Sequence, residues 1–277
     1  MVSLIAGGAG IFGALIGSFL NVVIFRIPAG RSIVSPPSAC GNCGGRIRPW
    51  DNIPVISWLV LRGRCRDCAS RISARYPLVE LGTALLFALV AWWLLSPTAP
   101  AGSETTGGLI ATAAALLAFL YLAAITVALA MIDIDTHTLP NAIVLPAYAV
   151  GGFLLLVAAL FGGEPARLLT ALAGGAAMFA LYLVLALLYP GGMGLGDVKL
   201  AGVLGIYLGW LGWGSIAVGA FGGFLLGGVF AVVLLTTSRA NRKSGIPFGP
   251  WMLAGAWVGI FAGNSIATGY LALFGLA

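Results

Sequence analysis

Residues 105–141, TTGGLIATAAALLAFLYLAAITVALAMIDIDTHTLPN, run for 28 positions without a charged side chain before Asp133. About 20 apolar residues in a helix cross the hydrocarbon of a bilayer, so 105–132 reads as a membrane span that ends on a carboxylate. The rest of the chain repeats this pattern. Of 277 residues, 60% are hydrophobic and 8% are charged, and the mean hydropathy is +1.06. Twenty-two charges cannot cover the surface of a soluble fold of this mass, which excludes soluble kinase, dehydrogenase and DNA-binding classes. Membrane lipid is the expected partner and nucleic acid is not.

Further uncharged or nearly uncharged runs cover 1–25, 81–103, 138–163, 168–196, 200–238 and 244–277. The run 200–238 is long enough for two helices, with a turn expected at Trp213-Gly214-Ser215. The prediction is an all-α polytopic membrane protein with about eight transmembrane helices, at 3–25, 78–95, 107–132, 142–161, 168–188, 198–212, 215–236 and 251–273. Continuous apolar runs exclude a barrel, whose strands alternate over about ten residues. Nine of the fourteen basic residues lie from Arg26 to Arg75, and Arg239, Arg242 and Lys243 form a second cluster. The positive-inside rule puts both segments and Lys199 in the cytoplasm, leaves Arg167 outside, and places both termini outside. The +6 net charge therefore reflects topology. No basic n-region precedes the first apolar run, so 1–25 reads as a retained first helix. Glycines spaced by four, such as Gly219, Gly223 and Gly227, suit close packing of helices in lipid.

All four cysteines fall in the one sizeable non-membrane segment, 26–77, as Cys40-Gly-Asn-Cys43 and Cys65-Arg-Asp-Cys68. Two C-x-x-C knuckles deliver four thiolates to a tetrahedral metal, and the chemistry favours one structural Zn²⁺. Four thiolates leave no open position for catalysis. Iron fits the same spacing, whereas two disulfides conflict with a reducing cytosol.

Three of the eight acidic residues stand at span edges: Asp133 and Asp135 in Met131-Ile-Asp-Ile-Asp-Thr-His-Thr-Leu-Pro-Asn141, and Asp197 in Gly192-Met-Gly-Leu-Gly-Asp-Val-Lys-Leu200. Ionisable groups there are expensive to keep and point to function. Asp133 closes the third expected span and Asp197 opens the sixth, so both sit at one depth on the cytoplasmic side. Two carboxylates that share a proton form a general base and a general acid, which is the aspartic-protease arrangement. Gly194 and Gly196 let backbone approach an extended peptide substrate. The bland alternative is a helix cap or a loop carboxylate. His137 reads as a loop residue, since a lone histidine makes a poor metal site.

These residues resemble the bacterial type IV prepilin peptidases, GxGD intramembrane aspartyl proteases that are both leader peptidases and N-methyltransferases of pilus, type II secretion and competence systems. The resemblance runs from Gly17-Ser-Phe-Leu-Asn-Val-Val-Ile-Phe-Arg-Ile-Pro28 through the cysteine tetrad, Trp50-Asp-Asn-Ile-Pro-Val-Ile-Ser57, Leu61-Arg-Gly-Arg-Cys65 and Arg75-Tyr-Pro-Leu-Val-Glu80. It continues through Asp133 and Pro140 to Gly194-x-Gly196-Asp197 and Ile246-Pro-Phe-Gly-Pro250. Asn141 departs from the Asp common after Leu-Pro in that family.

The resemblance implies that Asp133 and Asp197 are the catalytic pair. It implies cleavage of a basic leader after glycine on prepilin or pseudopilin substrates, followed by methylation of the new N-terminal residue from S-adenosylmethionine. It also links the cysteine segment to the methylation step. The sequence has no Rossmann-type glycine motif for that cofactor, whose binding residues stay unassigned. The expected organisation is a first helix at 1–25, a cytoplasmic cysteine segment at 26–77, and a bundle at 78–277 carrying the protease site in the bacterial inner membrane. A different class, a proton-coupled transporter, would use Asp133 and Asp197 as a proton relay.

Overall fold

The computed structural model describes residues 1–96, 105–189, 192–237 and 246–276. Among them there are no strands, and the long helices are α1 (Val2–Arg26), α3 (Arg75–Leu95), α4 (Thr106–Thr136), α5 (Asn141–Gly162), α6 (Ala166–Leu188), α7 (Leu195–Leu211), α8 (Trp213–Thr236) and α9 (Gly249–Ala272); α2 (Ile56–Val60) is a short turn of helix. Six are long and apolar enough to cross a membrane, judged by length and composition: α1, α3, α4, α5, α6 and α8. This is a multi-pass membrane protein. Of the other two expected spans, α7 has 17 residues with Asp197 and Lys199 in its opening turns, and α9 dilutes its 24 residues with glycine and polar side chains. The basic cluster Arg239, Arg242, Lys243 lies outside the described residues.

The chain divides into two compact units, Met1–Pro100 with Phe119–Ala128, and Ala101–Ala118 with Leu129–Ala277. In the first, α1 lies against α3 through small residues: a methyl group on Gly13 would sit 2.7 Å from Phe87 Cβ, and one on Gly17 would sit 2.7 Å from Glu80 Cα. The core there includes Phe87, Val90, Ala91, Phe119 and Leu122, all 2% exposed or less, and Trp93 meets Phe119 edge-on at 5.4 Å between ring centres. Glu80, buried on α3, accepts the Val55 N–H at 2.7 Å. That bond holds a tight turn at Val55, whose φ of 61° is uncommon for a β-branched residue. The Trp50–Ser57 motif is thus a folding device. Ser57 Oγ donates to the Trp50 carbonyl and accepts from the Ile53 amide.

In the second unit, α6 packs on α7 and α8 on α9, again through glycine. A Cβ on Gly205 would meet the Gly174 carbonyl oxygen at 2.4 Å, and one on Gly255 would meet the Gly223 amide nitrogen at 2.2 Å. Gly219, Gly223 and Gly227 are all buried on α8, as their spacing predicts. Gly255→Ala should therefore lower stability in detergent by about 1–3 kcal/mol, the usual cost of overpacking. Gly228→Ala on the same helix pair, where nothing lies within 4 Å, should be neutral or gain about 0.5–1 kcal/mol from helix propensity. Unfolding midpoints of the two variants check the contrast. Arg167, the one basic residue assigned outside, pairs with Glu164 and lies over Trp210.

Two helix boundaries differ from expectation. The α7–α8 break is at Gly212, with φ 118°, and Trp213, Gly214 and Ser215 already belong to α8. Only glycine enters that backbone region freely. Helix α4 runs on past Asp133 to Thr136 and stops at His137, which adopts the left-handed conformation. A charge marks where apolar surroundings end, which need not be where helical hydrogen bonding ends.

Candidate active site and metal centre

The end of α4, the loop that follows it, and the starts of α7 and α9 bring polar groups together within the second unit. Asp133, in the last turn of α4, is 5% exposed. Its Oδ2 accepts the Gly249 amide at 3.0 Å, a buried bond spanning 116 residues of sequence. Asp197 is the third residue of α7, and its Oδ2 reaches back to the amide of the N-cap Gly194 at 3.1 Å. A side chain that satisfies an orphan amide at a helix start holds both helix and side chain in place. Both carboxylates line one cavity of about 300 Å³, with His137, Asn141, Gly194, Gly196 and Lys199 also on its wall.

Asp135, two residues along the same helix, is exposed and does not line the cavity. His137 caps α4 through its backbone amide, bonded to the Asp133 carbonyl at 2.9 Å, and borders the same cavity. Gly196 sits against Leu139, where a methyl group would come within 3.1 Å of Leu139 Cβ. Several contributors were invisible in the sequence. Lys199 Nζ donates to Asn141 Oδ1 at 3.0 Å, and Tyr148 donates to the Lys199 carbonyl at 2.6 Å, tying α7 to α5. A lysine two residues after an aspartate announces none of this. Gly249 has no side chain to signal a role.

The four cysteines gather in the first unit, with their sulfur atoms all within 4.8 Å of one another. They are carried by two knuckles of the same design. The Cys40 amide bonds the Gly45 carbonyl and the Gly44 amide returns to Cys40; the Cys65 amide bonds the Ser70 carbonyl and the Ala69 amide returns to Cys65. Each turn needs a left-handed residue at its fifth position, Gly44 in one and Ala69 in the other. Asp51 joins the second knuckle to the Trp50 motif by accepting from Arg66, with Nε at 2.8 Å from Oδ2. That guanidinium holds the Asp51 carboxyl below its ordinary range.

The amides of Cys43 and Asn42 bring the Cys40 thiol down to about 6. At Cys43 the Gly45 amide pulls the same way, but the crowded sulfurs of Cys68 and Cys40 outweigh it and push the thiol up to about 11. Adjacent thiolates repel, and a divalent cation among them removes that repulsion. The residues fit a metal: a tetrahedron with Zn–S of about 2.3 Å has sulfurs about 3.8 Å apart, and Cys40 and Cys68 are 3.8 Å apart.

Comparison with known proteins agrees over almost the full length. The bacterial peptidase A24 N-terminal domain matches residues 11–94, and the type IV leader peptidase family matches residues 119–235. Proteins named prepilin leader peptidase/N-methyltransferase are similar throughout: that of Stutzerimonas stutzeri is 35% identical over 94% of this chain and 92% of its own. The Pseudomonas aeruginosa protein is 33% identical over 96% and 93%, and that of Neisseria gonorrhoeae 35% over 93% and 91%. No solved structure matches. With two family domains in sequence and full-length relatives at this identity, the chain belongs to the type IV leader peptidase family.

Proposed function

We propose that this protein is a membrane-embedded aspartyl endopeptidase that removes the basic leader of type IV prepilins and pseudopilins after glycine, and that it then N-methylates the new N-terminal residue. Asp133 and Asp197 are its catalytic pair. The observation that carries this reading is that two carboxylates from different helices, each held by a glycine amide, line one cavity. The full-length relatives named for both activities support it. They give no support to the transporter reading.

The pair works by sharing one proton. The ionised carboxylate takes a proton from a water as its oxygen attacks the scissile carbonyl, and the protonated one gives its proton to the carbonyl oxygen. Collapse of the resulting diol breaks the C–N bond, and a proton passes to the leaving amine, so the pair ends with one proton as it began. Gly194 leaves its backbone open to an extended substrate beside Asp197, while Gly196 makes room for Leu139 on the cavity wall. The site faces the cytoplasm from the bacterial inner membrane, with 1–25 as first helix, 26–77 as the cytoplasmic cysteine segment and 78–277 as the bundle.

Cys40, Cys43, Cys65 and Cys68 would hold one Zn²⁺, whose bonds staple a segment too short to make its own core. S-adenosylmethionine is the methyl donor of the second reaction. The described residues contain no strand, so among them the strand, glycine loop and helix that cradle adenine cofactors in Rossmann folds are not formed. The test is to incubate the detergent-solubilised protein with a prepilin and S-adenosylmethionine and weigh the products. A trimmed chain heavier by one methyl group is expected. An uncut prepilin would reject the reading.

A further inference from the structure

The Ile246-Pro-Phe-Gly-Pro250 motif, which the cleavage chemistry above does not use, contains the amide that holds Asp133. We infer that Gly249 is a positioning residue for the peptidase: its N–H anchors Oδ2 of Asp133 so that Oδ1 is left to the water and the shared proton. The inference rests on the reading of Asp133 and Asp197 as the catalytic pair.

The local sequence makes this amide available. Gly249 is the first residue of α9, and the leading N–H groups of a helix have no partner within it. At this end the Trp251 and Met252 amides both turn back to the Phe248 carbonyl, and Pro250 has no N–H to offer. Gly249 is then the donor that faces Asp133, at 3.0 Å and away from solvent. Glycine is also required by space. A methyl group at this position would lie 2.7 Å from Asp133 Oδ2 and 3.4 Å from Leu139.

The peptide leading into Gly249 is itself held. The Phe248 ring lies 5.3 Å from Phe224 on α8 and 6.3 Å from Tyr182 on α6, and those two stack on each other at 5.3 Å. Gly227 faces the same ring, where a Cβ would come within 3.1 Å. Three rings from separate elements thus fix the Phe248–Gly249 bond, and through it the carboxylate. Asp197 has the matching arrangement, with Oδ2 on the Gly194 amide. Each member of the pair is tethered by one oxygen to a glycine N–H, and preorganised donors of this kind are where catalytic electrostatics reside.

Two variants test the role of Gly249 without relying on either alone. Gly249→Ala keeps the N–H and displaces the carboxylate. Replacing the glycine by glycolate turns its amide into an ester and removes the N–H without adding bulk. Leader cleavage is measured as kcat and KM beside the wild type, and methylation of an already trimmed pilin is measured on the same preparations. Both variants should lose about 10- to 150-fold in kcat, the equivalent of one hydrogen bond to a charged group, with KM within about two-fold and methylation unchanged. Wild-type kcat in the ester variant would overturn the role of Gly249. So would a parallel fall of cleavage and methylation, which would make Gly249 a folding residue only. If the wild type itself fails to cut, the peptidase reading falls, and the role of Gly249 with it.

Discussion

Asp133→Asn should reduce leader cleavage by at least about 10³-fold, whereas Asp135→Asn, made two residues away and at equal expression, should keep most of it. An amide at 133 can neither accept the proton of the attacking water nor share one with Asp197. The two aspartates are successive acidic residues of one helix, and a step of two residues turns a side chain by about 200°. Only one of them can face the cavity: Asp133 is buried and lines it, while Asp135 is exposed. Initial rates of prepilin cleavage decide between them. A dead Asp135→Asn beside an active Asp133→Asn would mean that the catalytic pair is Asp135 with Asp197.

Replacing Cys40 and Cys43 together by serine should remove about one zinc per chain and most of the methylation, while leader cleavage persists at least in part. Serine hydroxyls do not replace thiolates at a structural zinc site, and two remaining sulfurs cannot hold the ion at structural-site affinity. The tetrad belongs to the first compact unit and both carboxylates to the second, so the loss should fall unevenly on the two activities. Elemental analysis and a paired assay of cleavage and methylation measure it. An equal loss of both would place the cysteine segment within the peptidase site or the general fold.

Much of this architecture was legible because lipid imposes simple rules. Uncharged runs located the eight long helices of the described residues to within a few positions, and the C-x-x-C spacing located a cluster that four sulfurs do form. The preference for Asp133 over Asp135 came from its spacing to Pro140, with helical rotation in support, and Asp133 is the one of the two that lines the cavity. Boundaries were harder where two signals were merged: a charge was read as a helix end at Asp133, although α4 continues to a left-handed stop at His137. The break before α8 was placed at a Trp-Gly-Ser cluster one residue too late, because the requirement lies in the φ of Gly212, which the sequence does not display.

What stayed hidden is mostly backbone chemistry across long sequence separations. The partner of Asp133 is an amide 116 residues away, and the buried Glu80 serves the amide of Val55. Neither donor carries a side-chain signature. Asn141, a departure from the family pattern, accepts from Lys199, an acceptor role that an aspartate there would also fill.

The most direct measurement is the rate of leader cleavage by purified Asp197→Asn, with methylation of an already trimmed pilin followed in the same preparation. With the pair as catalyst, cleavage should be abolished while methylation proceeds at the wild-type rate, since the asparagine Oδ1 can still accept the Gly194 amide at the start of α7. Cleavage by Asp197→Asn at near the wild-type rate would contradict the assignment of the two aspartates.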